Sequence, residues 1–266
     1  MVRGMYTAAS GALVAQSTVD TIANNLANVN TAGFKRTLLQ VQAQPHRDLY
    51  RFQTDPAKNA GGARTAGIPS QIAIGALGSG AQVYDTPADY EQGLIATTGN
   101  DLDVALSGPG FFAIRDGNGA LKYTRDGAFV RDQNGVLTAQ NGDRVLGRNG
   151  AAIVLPQSGK VEIARDGSIS VDGRAYDRLA VVEFGNLSAL RPEGSSRFAD
   201  TGAAAPRNAT NTSALQGSLE KSNADVVRSM VDLIAAQRWF DANEKSIQTQ
   251  DDAVGQAVQT VGRTNG

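Results

Sequence analysis

The residues with the greatest capacity for chemistry in this sequence are one histidine and a few closely spaced acids, because the chain contains no cysteine. Without cysteine, disulfides, thiol nucleophiles and thiolate metal sites are excluded. A Ser-His-Asp triad or a histidine-based zinc site would have to use His46, and no cluster of candidate partners surrounds it in the sequence. We therefore interpret His46 as an exposed loop residue.

The acidic residues offer two candidate sites, neither with a complete pattern. Asp101 and Asp103 would point to the same face of a strand, whereas a glycosidase needs two carboxyl groups about 5–10 Å apart across a cleft. Residues 132–135 begin like a calcium loop but lack the later Gly and Glu, which favours a hairpin turn. A P-loop and a G-x-S-x-G nucleophile elbow are also missing. We predict no catalytic, cofactor-binding or metal-binding residues, and no enzyme.

The composition limits the classes of partner. The formal net charge is -1 and no block of basic residues is present, so nucleic acid and membrane surfaces are poor candidates. Hydrophobic residues make up 41% of the chain, which excludes a wholly disordered protein. The sequence contains no apolar stretch of about 18 residues and no apolar segment at its start, so we predict neither a transmembrane span nor a cleaved secretory signal. We also predict no small-molecule substrate.

The N-terminal segment carries apolar residues at the spacing of a helical heptad, which predicts a helix over residues 4–30. The residues that form this seam are Met5, Ala12, Val19 and Leu26, each followed three residues later by Ala8, Ala15, Ile22 and Val29. Small seam residues and the neighbouring Gly11 predict close approach of another helix. Gly33 suits the C′ position that ends a helix.

The C-terminal segment mirrors this pattern and predicts a second helix, with N-cap candidates at residues 222–225. Its seven-residue seam consists of Val226, Leu233, Phe240, Ile247, Val254 and Val261. The seam is widened by Val227, Met230, Ile234 and Val258. The opposite seam carries Gln237, Glu244 and Asp251, and because a two-helix coil favours apolar residues there, these polar positions predict a specified register or contact with other subunits.

Neither helix has enough large apolar residues to be stable alone, because ordering the backbone costs about 1–2 kcal/mol per residue and a helix needs an unfavourable nucleus. The helices must therefore pack against each other or against neighbouring subunits. The predicted assembly interface consists of Met5, Ala12, Val19, Ile22, Leu26, Val29, Val226, Leu233, Phe240, Ile247 and Val254.

Between the two ends, turn and strand signals dominate. Eight Asp-Gly or Asn-Gly dipeptides between residues 116 and 173 favour tight hairpin turns. The word Arg-Asp-Gly, followed by a small and an apolar residue, occurs twice and predicts two similar hairpins, at residues 125–129 and 165–169. Residues 108–112 are interpreted as a turn entering a buried strand. Short apolar or alternating runs predict strands at residues 111–114, 128–130, 153–155, 161–163, 169–171 and 179–184.

These patterns predict an α+β fold that is mainly β, with the terminal helices packed as a coiled-coil-like unit and an antiparallel β-rich central domain. We expect a terminal helical assembly domain, an extended arm or hairpin and a β-rich central domain, at residues 1–36 plus 220–266, residues 37–80 and residues 81–219. Besides a self-assembling structural protein, the residues leave open a monomeric β domain closed by a helical hairpin, either carbohydrate-binding or carbohydrate-active.

Five segments together resemble the flagellar rod and hook protein family. They read NNLANVNTAGFKR at residues 24–36, DLDVAL at 101–106, GFF at 110–112, YTRDG at 123–127 and QRWFDANEK at 237–245. The resemblance covers nearly the whole chain except about residues 45–70. The residues that carry the two terminal motifs are Asn25, Leu26, Ala27, Asn28, Thr31, Gly33, Phe34, Lys35, Gln237 and Arg238.

The resemblance implies a structural subunit of the flagellar basal-body rod, the drive shaft between motor and hook. Such subunits are exported unfolded by the flagellar type III export apparatus, without a cleaved signal, and the rod crosses the periplasm or cell wall. The implied partners are other copies of the chain and related rod and hook proteins. Residues 144–147 are more similar to the proximal-rod member, which we favour, whereas the long segment 37–80 is closer in size to the distal-rod member.

Overall fold

The computed structural model describes residues 2–45, 47–53, 70–78 and 80–263. His46 and residues 54–69, which belong to the predicted arm, lie outside the described residues. The two helices are α1 (Val2–Ala27) and α2 (Val226–Arg263). The described strands, in chain order, are β1 (Gln40–Ala43), β2 (Arg47–Gln53), β3 (Ser70–Leu77), β4 (Ala81–Asp85), β5 (Ile95–Thr97), β6 (Val104–Ser107), β7 (Phe111–Arg115), β8 (Leu121–Thr124), β9 (Phe129–Arg131), β10 (Leu137–Ala139), β11 (Arg144–Val145), β12 (Val161–Ile163), β13 (Ser168–Val171), β14 (Arg174–Arg178), β15 (Val181–Phe184), β16 (Leu190–Pro192), β17 (Arg197–Asp200), β18 (Pro206–Asn208), β19 (Ser213–Gln216) and β20 (Ser218–Glu220).

The chain forms two compact units, and each terminal helix contributes to both of them. The first unit contains residues 1–19, 39–85 and 234–266, and the second contains residues 20–38 and 86–233. Terminal helices around an antiparallel β-rich middle confirm the predicted α+β, mainly β fold class. The proposed division into an assembly domain, an arm and a central domain stays a prediction.

In the first unit, the strands form two antiparallel pairs. Strand β1 pairs with β4, and β2 pairs with β3. Strands β1 and β4, which lie on either side of the long segment containing β2 and β3 in the sequence, are therefore neighbours in the structure.

In the second unit, every strand pairing is antiparallel, as the turn-rich sequence predicts. The largest sheet has the order β16-β17-β8-β7-β11-β10-β9, and β15 pairs with both β7 and β18. Strands β12, β13 and β14 form a separate three-stranded sheet, while β6 pairs with β19 and β5 with β20. Hairpins join consecutive strands such as β7 with β8 and β12 with β13, whereas β8 pairs with β17 and β6 with β19 across long connections. The hairpin predicted at residues 165–169 is confirmed. The one predicted at residues 125–129 is wrong, because β8 pairs with β7 and β17 while β9 pairs with β10.

The hairpin between β9 and β10 contains the residues that begin like a calcium loop. The Asp132 carboxylate accepts hydrogen bonds of 2.8 Å from the backbone N–H groups of Asn134 and Val136. The Gly135 N–H donates to the Asp132 carbonyl oxygen at 3.1 Å. These contacts close the turn with the side chain of its first residue, so the predicted hairpin is confirmed.

The core of the second unit lies on both faces of strand β7. Phe111 and Phe112 are fully buried, and as successive strand residues they point to opposite faces. The Phe111 ring meets the Phe184 and Phe198 rings edge-to-face at 5.6 and 5.7 Å, while the Phe112 ring meets Phe129 at 5.0 Å. Each buried phenylalanine contributes roughly 1.5–3 kcal/mol. The prediction of a turn entering a buried strand is therefore confirmed.

One predicted strand, at residues 153–155, is wrong. Ile153 and Leu155 are buried and Val154 is exposed, so the alternation expected of a strand is present. The backbone, however, forms isolated bridges rather than a ladder, because Ile153 bonds to Val145 while Leu155 bonds to Gly135. The segment therefore passes from the residues around Val145 to those around Gly135 and does not pair along a single strand.

Gly127 lies where two backbone segments come closest. A Cβ atom at this position would be 1.8 Å from the Val104 carbonyl oxygen, and the Val104 N–H donates to the Gly127 carbonyl oxygen at 3.0 Å. Only a hydrogen atom fits between them. Gly117, by contrast, has open space around its Cβ position.

We expect Gly127→Ala to lower the free energy of unfolding by about 1–3 kcal/mol or more, because the new methyl group must push apart hydrogen-bonded backbone. Equilibrium urea denaturation of the purified protein measures this change. The matched control Gly117→Ala should change the free energy by less than about 0.5 kcal/mol. Equal effects of the two substitutions would show that the backbone relaxes freely at Gly127.

Candidate functional site

The two terminal helices run antiparallel and touch at small residues of α1. The Gln250 side chain lies against Gly4, where a Cβ atom would be 2.4 Å from Gln250 Oε1. Seven residues further along α1, Gly11 faces the Asn243 side chain, with Oδ1 2.8 Å from the Cβ position. The spacing of seven residues on both helices matches one heptad. The close approach predicted from Gly11 is confirmed, whereas coiled-coil packing along the whole seam stays a prediction.

The partly or fully buried residues of α2 follow alternating spacings of three and four. They are Ser229, Leu233, Ala236, Phe240, Asn243, Ile247, Gln250, Val254 and Ala257. This stripe contains four residues of the predicted interface. Gln237, Glu244 and Asp251 are exposed. Within this chain, the buried side of the helix faces the positions one residue earlier. The role of these three polar residues in helix register or in contacts with other subunits stays a prediction.

The predicted interface residues on α1 and just after it all lose solvent exposure in this chain. Met5, Ala12, Val19, Ile22, Leu26 and Val29 are partly buried. Val226, at the start of α2, is 37% exposed. Whether any of them contacts another subunit stays a prediction.

Apolar side chains nevertheless remain exposed on both helices. Among the described residues, nine of the eighteen exposed large apolar side chains lie on α1 or α2. They are Tyr6, Leu13, Val226, Val227, Met230, Val231, Ile234, Trp239 and Val258. Val227, Met230, Ile234 and Val258, which we expected to widen the buried stripe, thus face solvent in the isolated chain.

The N-terminal family motif connects α1 to the β domain within the second unit. The Asn25 side chain forms two hydrogen bonds of 2.8 Å with the backbone of Thr37, one to its N–H and one to its carbonyl oxygen. The end of the helix is therefore tied to the chain that leaves the turn. Asn28 donates from its side chain to the Asn24 carbonyl oxygen at 2.8 Å, which satisfies one of the last carbonyl groups of the helix.

Gly33 has a role that differs from the expected one. Helix α1 ends at Ala27, so Gly33 is not its C′ residue. Its φ of 64° is in the left-handed region, and a Cβ atom would be 2.2 Å from the Asp126 nitrogen. Its N–H donates to the Glu220 carbonyl oxygen at 2.8 Å. Glycine is required here because the motif turn packs directly on the backbone of the β domain.

Lys35, the next charged residue of the motif, belongs to a buried ionic cluster with Glu220 and Arg125, which we call the junction cluster. Lys35 Nζ is 2.6 Å from Glu220 Oε1, and Arg125 Nη1 is 3.2 Å from Glu220 Oε2. All three side chains are almost completely buried. Lys35 also donates to the Glu91 carbonyl oxygen at 2.5 Å, and the Gly93 N–H donates to Glu220 Oε1 at 2.9 Å.

The junction cluster holds two cations against one anion in a poorly solvated site. Burial lowers the pKa of the Lys35 ammonium, and the Glu220 carboxylate opposes this shift. Burial likewise lowers the pKa of the Arg125 guanidinium, again opposed by Glu220. The Arg125 guanidinium also lies 4.7 Å from the centre of the Phe111 ring. Glu220 is therefore the group that makes both buried cations tolerable.

A second set of polar contacts places the start of α2 beside the same motif. The Arg36 N–H donates to Asn223 Oδ1 at 2.8 Å, and Asn223 Nδ2 donates to the Asp89 carbonyl oxygen at 2.9 Å. Arg36 Nη2 pairs with Asp89 Oδ2 at 2.7 Å. Burial alone would raise the pKa of Asp89, but hydrogen bonds from the Glu91 N–H and from Arg36 hold it below its usual value.

Helix α2 begins with the predicted type of cap. Asp225 Oδ1 accepts a hydrogen bond of 2.8 Å from the Arg228 N–H, three residues into the helix. The C-terminal motif residues Gln237 and Arg238 are exposed on α2. The structure therefore gathers the N-terminal motif around the junction cluster. In the C-terminal motif, Gln237 and Arg238 face solvent, whereas Phe240 and Asn243 belong to the buried stripe of α2.

Sequence reasoning missed Glu220, Arg125 and Asn223. Arg125 lies inside the word YTRDG, which carries part of the family resemblance, and this was the one available signal. Glu220 and Asn223 lie just before α2 without any pattern that pairs them with residues about 185 positions earlier.

The carboxylate pair that we considered for catalysis is divided between two environments. Asp103 is buried and accepts hydrogen bonds from Thr98 Oγ1 at 2.6 Å and from Asn100 Nδ2 at 3.0 Å. Asp101 is exposed. Within the described part of the chain, no group of three or more His, Asp or Glu residues is arranged to hold a metal ion. No described helix has a segment apolar and long enough to cross a lipid bilayer.

We expect Glu220→Gln to lower the free energy of unfolding by about 3–5 kcal/mol, because it removes the anion between two buried cations and leaves both uncompensated. Urea denaturation is the measurement. The matched control Glu162→Gln removes a carboxylate from an exposed ion pair with Lys160 and should leave stability almost unchanged. A Glu220→Gln protein as stable as the control would mean that water or a neighbouring group takes over the role of the carboxylate.

Comparison with known proteins finds similarity to flagellar proteins in three segments that span most of the chain. Three family models match it: the flagella basal body rod protein over residues 5–35, the flagellar hook protein FlgE/F/G D1 domain over residues 105–171, and the flagellar basal body rod FlgEFG protein C-terminal over residues 215–260. The first and third matches fall on the segments that the junction cluster joins.

Full-length relatives agree with these matches. The flagellar basal-body rod protein FlgG of Bacillus subtilis (strain 168) is 34% identical, over 97% of this chain and 98% of the relative. FlgF of Caulobacter vibrioides is 31% identical over the whole of both chains, and the flagellar hook-basal body complex protein FlhP of Bacillus subtilis is 34% identical over 96% and 98%. With helical ends joined at a buried motif and similarity along its whole length, the chain belongs to the flagellar basal-body rod protein family.

Proposed function

We propose that this protein is a structural subunit of the bacterial flagellar basal-body rod and that its terminal helices hold it in the rod. The observation that carries the proposal is the concentration of exposed apolar side chains on those helices. Val227 and Val231 are 73% and 61% exposed and lie one turn apart on α2, with Met230 beside them. Burial of such a surface is favourable, and in the isolated chain it faces water.

The separation of buried and exposed apolar side chains on α2 supports the proposed role of the helices in assembly. The buried stripe of α2 stabilises the chain itself, while the exposed apolar residues are free to contact a neighbouring subunit. The interface residues proposed from the heptads, from Met5 to Val254, lie on the same two helices or just after α1, and those that remain partly exposed extend the proposed assembly surface. A monomeric protein closed by a helical hairpin would have no use for the outward-facing valines.

The junction cluster supplies the rigidity that a rod subunit needs. It anchors the end of α1 and the segment leading into α2 to the same β domain through contacts of 2.6 and 3.2 Å. A force applied to either terminal helix would therefore be transmitted to the β domain. The proposed role is mechanical, and we propose no catalytic activity.

Other parts of the proposal rest on family membership alone. We propose that the chain is exported by the flagellar type III apparatus without a cleaved signal, and that it crosses the periplasm or cell wall as part of the rod together with related rod and hook proteins. Relatives named FlgG and FlgF both cover almost the entire chain. The preference for the proximal rod over the distal rod stays a prediction.

We expect Val231→Asp to abolish swimming while leaving the isolated protein as stable as the wild type. The carboxylate is solvated in the monomer, but assembly would bury it without a partner, which is strongly unfavourable. The experiment complements a strain that lacks the gene and measures swimming, the amount of protein in the medium and its presence in purified basal bodies.

The matched control is Val154→Asp, which alters a valine of similar exposure, 56%, on the β domain. This control should support normal swimming. Normal incorporation of Val231→Asp would contradict the proposed assembly surface, and a large drop in its melting temperature would show that Val231 is needed by the monomer.

A further inference from the structure

A small concave site on the β domain is lined by three arginines and shares no residue with the junction cluster. Its volume is about 200 Å³, below the roughly 300–1,000 Å³ of pockets that hold drug-sized ligands. It therefore has room for one small group. The side chains that give it charge are Arg148, Arg165, Asp166 and Arg178.

Asp166 is the one acidic residue among the lining residues, and its carboxylate already forms hydrogen bonds and an ion pair within the chain. Its carboxylate accepts hydrogen bonds from the Ser168 N–H at 3.1 Å and the Ser168 hydroxyl at 2.8 Å. It pairs with Arg178 Nη2 at 3.0 Å, and Arg178 Nε donates to the Asp166 carbonyl oxygen at 2.8 Å. The hydrogen bonds from Ser168, followed by the charge of Arg178, lower the pKa of Asp166. Asp166 and Arg178 thus neutralise each other.

Arg148 and Arg165 form no ion pair with a carboxylate among the described residues. Their backbones are fixed, since the Arg148 N–H donates to the Arg178 carbonyl oxygen at 2.9 Å and the Arg165 carbonyl oxygen accepts from the Ala214 N–H at 2.8 Å. The nearby carboxylates of Asp177 and Glu183, which do not line the cavity, accept hydrogen bonds from the Arg178 N–H at 2.7 Å and from Thr212 Oγ1 at 2.7 Å. Two exposed guanidinium groups on turns are therefore left without an ion-pair partner at the cavity.

We propose that this cavity binds a divalent oxyanion of the phosphate class, held by the guanidinium groups of Arg148 and Arg165. Two guanidinium groups without an ion-pair partner match a dianion, and planar guanidinium groups bind phosphate oxygens in pairs. Asn208 and Thr210 also line the cavity and carry side chains of a type that can donate hydrogen bonds. The inference does not depend on the proposed assembly surface, because it concerns the isolated chain.

The test is a titration of the full-length protein with inorganic phosphate at constant ionic strength, followed by calorimetry or phosphorus NMR. We expect saturable binding to the wild type and an affinity at least about ten-fold lower in the double variant Arg148→Gln, Arg165→Gln, since each charged hydrogen bond contributes substantially. The control Arg174→Gln removes an exposed arginine of β14 that does not line the cavity and should bind like the wild type.

Three further arms sharpen the result. The double variant Arg148→Lys, Arg165→Lys keeps the charge without the paired donors and should bind with intermediate affinity. Glycerol phosphate binding as tightly as inorganic phosphate would identify a phosphate monoester as an acceptable source, and weaker binding would identify the free ion. Failure of the wild type to bind phosphate, equal binding by the glutamine double variant, equal loss in Arg174→Gln, or tighter binding of succinate would each overturn the proposal.

Discussion

The buried carboxylate of Glu220 is the group on which the arrangement of the chain ends depends. It lies between Lys35 and Arg125, and its own backbone carbonyl oxygen accepts from Gly33. Removing three charges from water is strongly unfavourable, and the two ion pairs of 2.6 and 3.2 Å together with the hydrogen bonds to Glu91 and Gly93 offset this cost, although Arg125 Nε is left without a partner among the described residues. Three segments far apart in the chain must therefore meet in one geometry. Because Arg125 also lies over the Phe111 ring, the same geometry is continuous with the apolar core.

The fixed positions of the helix ends also bear on how the two helices pack. With the end of α1 and the start of α2 fixed beside the β domain, their remaining lengths are free to pack on each other through the glycines of α1 and the polar side chains of α2. Asn243 and Gln250 fill the space that Gly4 and Gly11 leave. Such contacts are close but bury few large apolar groups, which leaves valines and a methionine of α2 in water. The partly buried stripe that packs within the chain and the exposed apolar side chains thus occupy different positions around one helix.

Much of this architecture could be predicted from local patterns. Heptad spacing located both helices, and Asp-Gly and Asn-Gly pairs located most of the hairpins, because periodicity and turn chemistry are properties of neighbouring residues. Arg125 and Arg165 show where local patterns fail. Both occur in the word Arg-Asp-Gly, yet the first is fully buried against Glu220 and the second is exposed beside a cavity. The difference comes from partners distant in sequence, and the same reason explains why Gly33 was mistaken for a helix cap.

The separation between Lys35 and Glu220 also sets an order of events. The two residues are 185 positions apart. During translation, or during any passage of the chain that begins with its N-terminus, Lys35 is available long before the carboxylate that neutralises it. The motif turn cannot reach its final state until strand β20 has arrived, and closing so long a loop is slow compared with forming a local hairpin. The junction cluster therefore forms only after strand β20, the last strand before α2, is present. The fold cannot be completed until nearly the whole polypeptide is available.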